Sequence, residues 1–126
     1  MRRAMAYQID HERRRVAFTA EPGFSGTVLS QAIADMFDAD PRTCSYDFIV
    51  DVRDSDTGAQ QSDIQIVVQA YHRHIREPGV KYGCFVSLDP NYPLWTAAMD
   101  HLFGDRQNKV FVTPERAAAF LDQVRG

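Results

Sequence analysis

The chain has 126 residues, of which 44% are hydrophobic and 25% charged, with seven glycines and six prolines. This is enough for one domain with a continuous core, and the composition excludes disordered, collagen-like, coiled-coil and membrane-spanning classes. A formal charge of −3 argues against a partner of nucleic acid, because neutralising phosphates needs an excess of Lys and Arg on one face.

Residues 5–10 and 14–20 alternate polar and apolar side chains, with Tyr7 and Ile9 answered by Val16 and Phe18 across the polar Asp10-His11-Glu12. The pattern predicts a β-hairpin. After Pro22-Gly23, Ser25 opens a segment with Val28, Leu29, Ala32, Ile33, Met36 and Phe37 at steps of three and four, one face of a helix that ends before Pro41. Tyr46 to Val52 carries the apolar run Phe48-Ile49-Val50, suited to a strand covered on both faces at the sheet centre. A polar loop follows, and Ser62 is placed to cap a second helix running through Ile64, Val67, Val68, Tyr71 and Ile75, stopped by Pro78-Gly79. Val80 to Leu88 reads as a strand and Asp89-Pro90-Asn91 as a turn. Tyr92 to Phe103 reads as a short helix closed by Gly104, and Lys109 to Val112 as the last strand. Thr113-Pro114-Glu115 starts a final helix with an N-cap, a proline in the first turn and a favourably placed carboxylate. The order β-β-α-β-α-β-α-β-α predicts a single α/β domain over residues 1–126, with a five-stranded, mainly parallel mixed sheet, an N-terminal hairpin and four helices.

Cys44 and Cys84 form no C-x-x-C pair and have no His at ligand spacing, so reduced structural thiols are expected. His72 and His74 stand about 200° apart around a helix, which prevents them from chelating one ion together. No metal and no cofactor is expected. Met1-Arg2-Arg3 is followed by polar residues rather than a signal-peptide apolar region, and no segment is long enough for stable membrane insertion, so a cytoplasmic location is expected.

The opening hairpin, the central strand and exit Phe48-Ile49-Val50-Asp51-Val52-Arg53-Asp54, the strand end Val86-Ser87-Leu88-Asp89, and Val110-Phe111-Val112-Thr113-Pro114-Glu115 with the helix after it together resemble the SpoIIAA-like group. That group is related to STAS domains and is often labelled STAS/SEC14. The resemblance covers nearly the whole chain and implies a non-enzymatic module that binds a protein partner. Some STAS domains are switched by serine phosphorylation at an Asp-Ser-Ser-Gly motif, and SEC14-like relatives are similar to lipid carriers. This chain has Gln60-Gln61-Ser62-Asp63-Ile64 near the phosphorylated place, so Ser62 is the one phosphorylation candidate and is accounted for equally well as a helix cap.

Ligands of open parallel sheets bind beyond the carboxyl ends of the strands, which directs attention to Arg53, Asp54 and Asp56 after the third strand and to Asp89, Asn91 and Tyr92 after the fourth. Arg53 could fork onto an anion while the carboxylates act as acceptors or a base; solvated loop polarity is the plainer account. Asp51, inside a strand, is expected to accept hydrogen bonds from the following loop. Tyr92, Leu94, Trp95, Met99, Leu102 and Phe103 put more large apolar side chains on one short helix than a single stripe buries, so Trp95 and Met99 are candidates for a pocket or a dimer face. The leading expectation is a non-enzymatic module that recognises a protein partner or a small amphipathic ligand and self-associates, as a homodimer or more weakly. One alternative is a carrier of a lipid or another hydrophobic small molecule. The other is a small enzyme using the Arg/Asp cleft, for which no nucleophile turn can be named.

Overall fold

A computed structural model of the chain describes residues 5–20, 26–53 and 61–126. Five strands and four helices follow in the order β1 (Met5–Asp10), β2 (Arg15–Ala20), α1 (Gly26–Ala39), a 3-10 helix (Pro41–Ser45), β3 (Asp47–Asp51), α2 (Gln61–His74), β4 (Lys81–Val86), α3 (Tyr92–Phe103), β5 (Arg106–Phe111) and α4 (Pro114–Arg125). The fold is the expected α/β domain with a mixed sheet. Its strands lie side by side in chain order, β1-β2-β3-β4-β5; β1 is antiparallel to β2 and all other neighbours are parallel.

Sequential strand order has a direct geometric result. Each crossover from β2 to β5 moves one strand in the same direction, and right-handed connections then set their helices on one face of the sheet. The larger core forms there: Val16 and Phe18 of β2, Phe48 and Val50 of β3 and Phe85 of β4 pack with Ile33 and Phe37 of α1, Tyr71 of α2 and Phe103 of α3. The other face carries a smaller cluster, in which Ile49, Cys84 and Val86 meet Ala117 and Leu121 of α4. β3 is thus covered on both sides, which is why Phe48-Ile49-Val50 has no polar break.

The 3-10 helix between α1 and β3 was not expected. It begins after Asp40, whose side chain accepts from the Arg42 backbone N–H at 3.3 Å, and Pro41 suits its first turn. α4 is clamped to the sheet by Arg125, which donates from Nε and Nη2 to the buried Asp47 carboxylate at 2.8 and 2.7 Å. Thr113 caps α4 as the sequence suggests, accepting from the Arg116 N–H at 3.1 Å.

Several boundaries shift by a residue or two, and two of the differences bear on candidate residues. α2 already includes Gln61, so Ser62 lies within its first turn rather than at the cap; the Ser62 side chain is outside the described residues. β5 starts at Arg106, not Lys109, because Arg106 and Asn108 occupy inward-facing strand positions that would ordinarily be apolar. Their polarity hid the alternation, and with it the inner wall of the site described next.

Candidate functional site in the cleft between the sheet and its helices

Strands β2 to β5 run the same way, so the residue after β3, Val52, lies at the same end of the sheet as the N-terminal turns of α1, α2 and α3. A cleft of about 80 Å³ starts at that end and reaches in between the sheet and the helices. α1 contributes Gly26, Leu29, Ser30 and Ile33, and α2 contributes Ile64 and Val67. α3 contributes Tyr92, Trp95, Met99 and Phe103, while Phe48, Gly83, Phe85, Arg106 and Asn108 form the sheet wall. Its surface is mainly carbon, with polarity confined to a few places, the usual character of a small-molecule site.

α3 supplies half of the aromatic wall, Tyr92, Trp95 and Phe103, for reasons visible in its sequence. Pro93 lies in its first turn and Gly104, at φ 87°, ends it. Trp95 and Met99 are four residues apart and so share a face. Tyr92 is 8% exposed and packs on Phe85 with ring centroids 5.6 Å apart. Burial and the nearby Asp89 carboxylate push its hydroxyl well above the ordinary phenol range, so it stays neutral. Leu94, on the outer face of the same helix, is 73% exposed.

The sheet wall holds a polar pair. Arg106 is 3% exposed, donates from Nη1 to Cys44 O at 3.0 Å and from Nη2 to Tyr46 O at 2.7 Å, and its guanidinium carbon stands 4.5 Å from the Phe48 ring centroid. Burial depresses its pKa, offset in part by the Tyr71 and Asp47 side chains. Two residues along the strand, Asn108 donates from Nδ2 to Asp100 Oδ1 at 2.9 Å, and the same oxygen accepts the Asn108 backbone N–H. Asp100 therefore covers part of the free edge of β5 and fixes the orientation of the Asn108 amide. The opposite amide atom, Oδ1, lies over Gly83, the register partner of Asn108, at a place where a Cβ would collide with it.

Beside this wall, Tyr71 donates from its hydroxyl to Asp105 Oδ1 at 2.6 Å, and Lys81 Nζ reaches Asp105 Oδ2 at 3.1 Å while also donating to the Glu77 and Gly79 carbonyls. Burial alone would raise the Asp105 pKa, but the hydrogen bonds from Tyr71 and Lys81 hold it below its ordinary 3.8. A depressed folded-state pKa contributes stability that is fully present above the unfolded value and is lost as pH falls through the folded one. Asp105→Asn should thus cost about 1–2 kcal/mol at neutral pH, screened because Asp105 is 38% exposed. The stability gap between wild type and variant should narrow on acidification below about pH 4. Urea unfolding at pH 7 and pH 3 measures it, and a gap of constant size would contradict the assignment.

Among the described residues of the polar strand exits, Arg53 and Asp89 make local hydrogen bonds. Arg53 is bound to Asp51, donating from Nε at 3.0 Å, Nη2 at 2.8 Å and its backbone N–H at 3.2 Å, so Asp51 does accept from the following loop. Asp89 accepts the Asn91 backbone N–H at 2.9 Å in an Asx-type turn leading into α3. Asn91 precedes α3 without a side-chain cap bond, and Asp54 and Asp56 are outside the described residues. The strand order accounts for this: crevices open in parallel sheets where the order reverses, and β2 to β5 contain no reversal.

A wider cavity of about 310 Å³ lies at the opposite end of the sheet, near Arg14, Asp47, Glu77, Lys81 and Arg125. Its charges answer one another, Arg14 to Glu77 at 2.9 Å and Arg125 to Asp47 at 2.7 Å, and Lys81 is joined to Asp105. His72 Nε2 lies 3.2 Å from Leu102 O and His74 Nε2 lies 2.7 Å from Asp38, on separate partners. Burial pushes the Cys44 thiol up to about 11 and the Cys84 thiol up to about 12, which leaves both protonated at neutral pH. Among the described residues no helix is long and apolar enough to cross a membrane.

Sequence reading identified Tyr92, Trp95 and Met99 of the cleft and missed Arg106, Asn108 and Gly83. The available signal was the alternation of Arg106, Asn108 and Val110, which share one face of a strand. Comparison with protein-family models, curated proteins and solved structures returns no match for this chain.

Proposed function

We propose that the chain is a non-enzymatic binding module that holds a small, mainly apolar molecule in the cleft beneath α3. The observation that carries this reading is the convergence of Trp95 and Met99 with the aromatic sheet wall on about 80 Å³ that packing leaves open. Interiors of this size normally close such space, because each unfilled volume forfeits dispersion contacts. The volume admits roughly five waters or one ring-sized group by the space a water needs, so a compact ligand is favoured over the acyl chain of a lipid carrier. The absence of chemistry agrees with the thiols held protonated and the Arg53 guanidinium bound to Asp51. It also agrees with the binding role that the STAS-like resemblance implies.

Toluene is a suitable probe. It should raise the thermal midpoint of the wild type in proportion to the logarithm of its concentration, by ordinary linkage. Trp95 is the one tryptophan in the chain, so its fluorescence should change over the same concentrations. Trp95→Ala should cost about 1–2 kcal/mol, less than truncation of a fully buried aromatic, and should abolish the rise while far-UV dichroism stays native. Global unfolding of that variant would make Trp95 a core residue, and an undiminished toluene response would remove it from the site.

A further inference from the structure

Resting on that reading of the cleft, we propose that its ligand carries a hydroxyl, or an equally neutral and weakly acidic hydrogen-bond donor, that seats on Asn108 Oδ1. Asn108 is 8% exposed and lines the cleft. Asp100 takes both its Nδ2 and its backbone N–H, so the amide cannot turn over without setting oxygen against carboxylate. Oδ1 is consequently held as an acceptor above Gly83, and among the described residues no protein donor reaches it. Oδ1 is open to the cleft, and an amide oxygen in a mainly apolar surround holds an arriving donor more strongly than it would in water.

Arg106 narrows the class further. It stands two residues along β5 on the same inward face, about 7 Å away by strand geometry. Its hydrogen bonds go to backbone carbonyls, and among the described residues it forms no ion pair with a carboxylate. The inner end of the cleft therefore carries a guanidinium whose charge the Asp47 carboxylate offsets only in part. An ammonium group, though a good donor, would meet that charge across an apolar space where repulsion is strong. A neutral hydroxyl gives its proton to Asn108 and turns an electron-rich oxygen towards the guanidinium. The remaining walls, Phe48, Phe85, Trp95 and Met99, demand an apolar body, and the volume limits that body to about one ring. Phenols and compact branched alcohols are the matching chemistry.

Phenol and fluorobenzene have nearly the same shape, and only phenol donates a hydrogen bond. Without an acceptor in the cleft, fluorobenzene should bind more tightly, because sequestering an unpaired hydroxyl is unfavourable. Phenol should bind wild-type protein at least as tightly as fluorobenzene, measured by calorimetry and by Trp95 fluorescence. Asn108→Leu should weaken phenol tenfold or more and alter fluorobenzene less than threefold. Fluorobenzene binding tenfold more tightly than phenol to the wild type overturns the proposal and leaves the apolar-ligand reading standing. Failure of both probes to bind overturns that reading as well. Should Asn108→Leu not fold, the wild-type comparison alone decides.

Discussion

Arg106→Ala is expected to destabilise the protein by about 2–5 kcal/mol, the combined scale of two buried carbonyls left without a donor and of a large side chain cut from the core. The substitution leaves the carbonyls of Cys44 and Tyr46 without their donor, each carrying about 1–3 kcal/mol of desolvation penalty. It also empties the space over the Phe48 ring and beside Tyr71, 4.5 and 5.5 Å from the guanidinium carbon. Arg106→Lys should rescue little, since an ammonium lacks the planar fork that addresses two carbonyls while stacking on an aromatic face. Denaturant unfolding would show the midpoint falling with an unchanged slope. A loss below about 1 kcal/mol would mean that water replaces the guanidinium at both carbonyls.

Gly83→Ala is expected to obstruct the cleft and to cost about 1–3 kcal/mol, the usual range when an added methyl forces a neighbouring side chain to shift. Gly83 does not serve a positive-φ turn, as Gly79 at φ 112° and Gly104 at φ 87° do. It is needed for close approach: the new Cβ would collide with Asn108 Oδ1, whose amide is tethered through Nδ2 to Asp100. The variant should remain folded, lose the toluene-induced rise in midpoint and bind phenol no better than background. A variant with full toluene response and native stability would show that the Asn108 side chain yields easily, and the account of a rigid acceptor would fail with it.

The element order was legible because the chain is locally consistent. Pro22-Gly23, Pro41, Pro78-Gly79 and Gly104 punctuate the periodic segments, and the helices and strands fall between them. The part of the cleft built by α3 was legible for a related reason: Tyr92, Trp95 and Met99 exceed what one amphipathic stripe buries. The sheet wall was not legible, because Arg106 and Asn108 read as loop residues until strand pairing turns them inward. The burial of Arg106 depends on partners remote in sequence, carbonyls 60 and 62 residues away. Strand order was likewise beyond pattern reading, and it decides the fate of the loop residues. A reversal at β3 would have opened a crevice between Arg53 and Asp89, whereas a sequential sheet leaves them to Asp51 and to the Asn91 turn.

The most direct test of the central claim is the site of probe binding, read from amide and indole shifts in 1H–15N correlation spectra during a toluene titration. Saturable changes are expected at the Trp95 indole and at the Gly83, Phe85, Met99 and Asn108 amides, with the Arg14, Glu77 and Arg125 signals unmoved. Changes centred on Arg14, Glu77 and Arg125, or none at concentrations near toluene solubility, would contradict it.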